Sequence, residues 1–100
     1  MKIDFERSGG LTGLHTTATI DTNSLAAADC QQLQELIETA AFFELPSHLT
    51  KSPSAVPDQF YYKVTIMAEG QTHTVETTDS SAPPTLRPLL HQLARLARRF

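Results

Sequence analysis

The spacing of the hydrophobic residues switches between two patterns along the chain, and the order of these patterns restricts the fold. Hydrophobic and polar residues alternate, as in strands that bury one face, in residues 2–7, 14–20, 60–67 and 72–78. Hydrophobic residues recur every three or four positions, as in amphipathic helices, in residues 26–41 and 86–98. The order ββαββα predicts an α+β fold: a four-stranded antiparallel sheet made of two hairpins, with both helices on one face.

Turn-forming residues separate these segments. Residues 21–24 are a cluster of turn and helix-capping side chains, and Pro46 ends the first helix. Gly70 supplies the positive φ that a tight turn between the last two strands requires. Pro88 is compatible with a helix only in its first turn, so the second helix begins near residue 86.

One domain, residues 1–100, accounts for the whole length. Its core should contain the hydrophobic residues on the inward faces of the predicted strands and helices. These are Ile3, Phe5, Ile20, Leu33, Leu36, Ile37, Phe42, Val64, Leu89, Leu90 and Leu93.

Composition excludes several classes of function. The net charge of -3 and the pI near 5.7 argue against nucleic-acid binding, which depends on a basic surface. No run of about 20 apolar residues predicts a membrane span, and no export signal is recognisable near the N-terminus. The single cysteine, Cys30, allows no intrachain disulfide. We therefore expect a cytoplasmic protein that does not contact a membrane and is a monomer when free.

The titratable residues do not form a catalytic or metal-binding pattern. The four histidines lack the spacing of zinc ligands, and His15 and His73 occupy strand positions that should face solvent. Cys30 follows Asp29, whose charge disfavours a reactive thiolate, so a small core side chain is the better interpretation. The sequence predicts no cofactor, no metal and no enzymatic activity.

The segment Ser8–Gly13 is the feature that most suggests recognition of another molecule. Its three glycines surround one large apolar residue, Leu11, and it is longer than the two to five residues of a common hairpin connection. A recognition loop and an uninvolved surface loop are equally compatible with this composition. A competing candidate is the segment 47–57, which has little apolar content and contains Lys51 and two prolines.

Several sequence elements together resemble the emfourin family. They are I-D-F-E-R-S-G-G-L-T-G-L at residues 3–14, F-F-E-L-P at 42–46, D-Q-F-Y-Y-K-V-T-I at 58–66, G-Q-T-H-T-V at 70–75 and A-P-P-T-L-R-P-L-L-H-Q-L at 82–93. The resemblance implies an intracellular inhibitor of protealysin-like enzymes, which belong to the thermolysin-like zinc metallopeptidases. Family members often carry a basic residue where this chain has His15, a difference that bears on the choice of partner.

The resemblance also implies a place for the inhibitory contact. Thermolysin-like enzymes prefer a large apolar side chain just after the cleaved bond, and Leu11 or Leu14 would fill that pocket while the extended backbone pairs with an edge strand of the enzyme. The candidate peptidase-binding residues are Ser8, Gly9, Gly10, Leu11, Thr12, Gly13 and Leu14. The alternative function is a non-inhibitory interaction or adaptor domain that uses the same surface.

Overall fold

A computed structural model describes residues 1–9, 14–49, 60–79 and 81–97 of the chain. Its strands and helices follow the predicted order: β1 Lys2–Gly9, β2 Leu14–Asp21, α1 Ala27–Ala40, β3 Phe60–Ala68, β4 Gln71–Thr78 and α2 Arg87–Ala97. Short 3₁₀ turns at Thr22–Ser24 and Phe42–Glu44 flank α1. The predicted α+β class and the order ββαββα are confirmed.

The two hairpins join through their first strands. The sheet order is β2-β1-β3-β4, and every neighbouring pair is antiparallel. Because β1 lies between β2 and β3, the last residue of β1, Gly9, is in register with both Leu14 and Phe60. This pairing brings the end of β1 and the start of β3 to the same end of the sheet.

One face of the sheet carries the core and the other is left open. Buried side chains of β1 and β3, such as Phe5 and Val64, face the helices, and α2 packs against both β1 and β2. Ten of the eleven residues predicted for the core are buried. The alternate residues form what we call the open face, on which Thr17, Glu6, Lys63 and Glu76 make one row across the four strands.

Leu36 is the member of the predicted core that the structure contradicts. It is partly exposed, whereas Leu33 and Ile37 on the same helix are buried. Successive helical residues are separated by about 100° around the axis. Leu33 and Ile37 therefore lie at the centre of the apolar stripe, and Leu36 lies at its edge. The hydrophobic spacing located the helix but made its apolar stripe one residue too wide.

The prediction that His73 faces solvent was wrong. It is in register with the buried Ile66, so its side chain belongs to the core face. Its ring packs edge-on against Phe42, with centroids 5.6 Å apart, and its Nε2 lies 2.6 Å from the carbonyl oxygen of Leu45. A carbonyl can only accept, so Nε2 carries the proton, and His73 ties the chain after α1 to β4.

Cys30 is also more accessible than a core side chain. It is half-buried on α1, and its Sγ accepts a long contact of 3.8 Å from the Gln34 side-chain amide. It borders a hollow of about 700 Å³ with Phe43 and Ala68, at the end of the sheet where β3 turns into β4. The prediction of a core side chain was wrong because the stripe through Cys30 lies beside the packed face of α1.

Candidate functional site

The candidate site is the end of the sheet where β1 finishes and β3 starts, which we call the loop end. It consists of Ser8 and Gly9, of Leu14 and His15, and of Phe60 and Tyr61. The strands hold these backbones in register on both sides of β1. A segment that leaves the sheet here therefore begins and ends at positions fixed by hydrogen bonding.

The structure changes the expected length of the recognition loop. Ser8 and Gly9 belong to β1, because pairing with strands on both sides overrides the low strand propensity of glycine. Residues 10–13 alone join the paired Gly9 and Leu14, which is an ordinary length for a hairpin connection. The expectation of an oversized loop was wrong.

Of the seven candidate residues, three fall within the described residues. Ser8 and Gly9 close β1, and Leu14 opens β2. Gly10, Leu11, Thr12 and Gly13 lie outside the described residues. Gly9 has a φ of 101°, a backbone conformation that residues other than glycine adopt with difficulty. A glycine is therefore needed where the chain leaves the sheet.

The competing segment, residues 47–57, is partly incorporated into the fold. The backbones of Ser47 and Leu49 bond to both sides of Glu76 on β4, with N–O distances of 2.7 and 2.8 Å. The His48 side chain lies 2.8 Å from the Glu76 carboxylate. Residues 50–57, including Lys51, lie outside the described residues. Phe60, the first described residue after this segment, begins β3 beside Gly9, the last described residue before residues 10–13.

An acidic side chain stabilises the loop end. The Asp79 carboxylate accepts from the Tyr62 hydroxyl at 2.8 Å and from the Phe60 backbone N–H at 2.9 Å, and the Asp79 N–H donates to the Phe60 carbonyl at 3.2 Å. Burial, with the hydrogen bond to Asp79, raises the pKa of Tyr62 to about 12, against an opposing effect of Arg7. The Arg7 guanidinium stacks over the Phe60 ring, 4.7 Å from its centroid.

The open face beside the loop end carries an exposed tyrosine and several charges. Tyr61 is 51% exposed and lies in register with Ser8, which in turn is in register with His15. His15 Nε2 is 3.8 Å from the Glu6 carboxylate. No role is assigned to Tyr61 from the sequence alone, although its place next to Tyr62 in an alternating strand indicates an aromatic side chain on the outer face.

Within the four described ranges, no three His, Cys, Asp or Glu side chains are grouped so that they could hold a metal ion. Neither α1 nor α2 has the length and apolarity that crossing a membrane requires.

Comparison with known proteins identifies the family. The family model described as Emfourin matches residues 5–94, which is most of the chain. The chain belongs to the emfourin family. Emfourins are a family of protein inhibitors of peptidases, and the match includes β1 from Phe5 onward, the four residues after it and β2. No curated protein and no solved structure matches the chain.

Proposed function

We propose that this emfourin inhibits a protealysin-like peptidase of the thermolysin type by placing residues 8–14 in the active-site cleft. The observation that carries the proposal is the family match over residues 5–94, which includes this segment. The loop end gives it a physical basis, because the β1–β2 and β1–β3 pairing holds both ends of residues 10–13.

Fixed ends matter because ordering a flexible segment opposes binding. Closing a connection of four residues costs less conformational entropy than closing a long loop. The glycines allow the backbone to approach another surface closely. Leu11 is then the side chain best suited to an apolar pocket, with Leu14 as the alternative anchor.

The partner of this proposal is a metallopeptidase, and the contact involves neither a nucleic acid nor a membrane. The net charge of -3 disfavours the phosphate backbone of nucleic acids. This proposal requires no reacting group and no metal from the inhibitor. Inhibition follows from occupying the cleft, so the substrate and the inhibitor should exclude each other.

Initial rates of a protealysin-like peptidase, measured at several concentrations of the inhibitor and of a peptide substrate, test this function. Competitive inhibition, with the apparent KM raised and kcat unchanged, is the expected result. Binding without any loss of peptidase activity would instead support the adaptor function. No binding to any thermolysin-like peptidase tested would contradict the proposal.

A further inference from the structure

Tyr61 is a large hydrophobic side chain exposed on the open face of the sheet. Its neighbours along β3, Tyr62 and Val64, are buried, whereas 51% of Tyr61 is accessible on the open face. Tyrosine is among the side chains enriched in the energetically dominant positions of protein interfaces. Its in-register neighbour, Ser8, is the first residue of the proposed inhibitory segment.

A hollow of about 230 Å³ lies on the open face beside Tyr61. Glu6 and Glu76 contribute two carboxylates to its lining, and Lys63 contributes one ammonium group. The Glu76 carboxylate already holds His48 at 2.8 Å, whereas Glu6 has only the looser 3.8 Å contact with His15. Glu6, which lines the same hollow as Tyr61, therefore retains acceptor capacity.

We infer that Tyr61 and this hollow form a second contact with the peptidase, and that the hollow receives a basic side chain of the enzyme. The inference rests on the proposed function, because Ser8 links the hollow to the segment that enters the cleft. A guanidinium or ammonium group stacked on Tyr61 gains a cation–π interaction. The same group can donate to the Glu6 carboxylate, which makes that hydrogen bond charge-assisted.

The test of Tyr61 has a matched control on the same strand. Tyr61→Thr and Met67→Thr both replace a large open-face side chain of β3 with a good strand former, at opposite ends of the strand. We expect Tyr61→Thr to raise the inhibition constant about 30-fold, as for an interface hot spot. Met67→Thr should leave the inhibition constant unchanged. As a control, thermal unfolding of both variants should give midpoints close to that of the wild type, which checks that each variant retains the fold.

The sign of the partner's charge is tested with two neighbours in register, Glu6 and Lys63. If the partner side chain is basic, Glu6→Gln should weaken inhibition and Lys63→Gln should strengthen it. Each effect should be several-fold at low ionic strength and smaller at high salt. The reverse pair of signs would show an acidic partner group and overturn the assignment.

The outcomes separate this inference from the proposed function. A wild-type protein that inhibits, together with an equally potent Tyr61→Thr variant, overturns the second contact and leaves the inhibitory function in place. A wild-type protein that fails to inhibit overturns the function, and the second contact with it.

Discussion

At the scale of single residues, the burial of Tyr62 and its hydrogen bond to Asp79 determine how the stability of the protein responds to alkali. The hydroxyl has a pKa of about 12 in the folded protein and 10.0 as its ordinary value, with burial as the first cause. The folded protein therefore retains a proton that the unfolded chain has released between these two pH values. The contribution of Tyr62 to the free energy of unfolding is therefore fully present below about pH 10 and is lost as the pH rises toward 12.

Tyr62→Phe should remove this dependence. The wild-type free energy of unfolding is expected to decline between about pH 10 and 12 with a slope of at most about 1.4 kcal/mol per pH unit. The phenylalanine variant should lack this component and lose about 1.5–3 kcal/mol at neutral pH, the usual contribution of a hydrogen bond to a charged group. Urea unfolding at a series of pH values measures both. Equal slopes for the two proteins would show that Tyr62 does not titrate as described.

The edge of the apolar stripe on α1 is the second prediction at this scale. Leu33 is completely buried and Leu36 is partly exposed. Truncation of a buried leucine leaves a cavity and costs about 2–5 kcal/mol, so Leu33→Ala should reach that range and Leu36→Ala should fall below it. Chemical denaturation of the two variants compares residues on one helix. A larger loss of stability for Leu36→Ala than for Leu33→Ala would show that the core face of α1 is assigned incorrectly.

Residue-level features that depend on partners far along the chain were the least predictable. His73 is separated from Leu45 by 28 residues, and the pattern around it gives no sign that the two meet. The alternation of β3 places Tyr61 on the face opposite the core, but only the structure shows that its side chain is left exposed there.

At the scale of elements, local sequence signals placed the strands and helices well and failed where pairing dominates. Gly70 has φ of 80° in the turn between β3 and β4, as predicted. Ser8 and Gly9 read locally as a loop, and only the strands on either side show that they extend β1. The segment around His48 likewise joins β4 through backbone bonds that composition cannot reveal.

The β3–β4 hairpin allows a stabilising substitution. Glu69 and Gly70 both have positive φ, 47° and 80°, as a type I′ turn requires, and glutamate is poorly suited to that conformation. Asn-Gly is the preferred sequence for this turn, so Glu69→Asn should raise stability by about 0.5–1 kcal/mol. The thermal midpoint gives the measurement. A lower midpoint would show that the Glu69 side chain contributes contacts that outweigh its backbone strain.

At the scale of the whole molecule, the sheet order relates the strand end before residues 10–13 to the strand start that follows residues 50–57. Residues 10–13 and residues 50–57 are far apart in sequence, yet β1 and β3 are neighbours and Gly9 is in register with Phe60. Periodicity predicted the sheet but not its strand order. That Gly9 and Phe60 are neighbours therefore emerges only from the pairing of the hairpins.

The inhibition constant of Leu11→Ala, measured beside the wild type against one protealysin-like peptidase, tests the central claim most directly. If Leu11 anchors the inhibitor in the cleft, its truncation should weaken inhibition by about 30-fold or more. The thermal midpoint should stay nearly unchanged, and Gly10→Val should also weaken inhibition. An unchanged inhibition constant for Leu11→Ala, with inhibition abolished by a deletion within residues 50–57, would contradict the claim and assign recognition to the other segment.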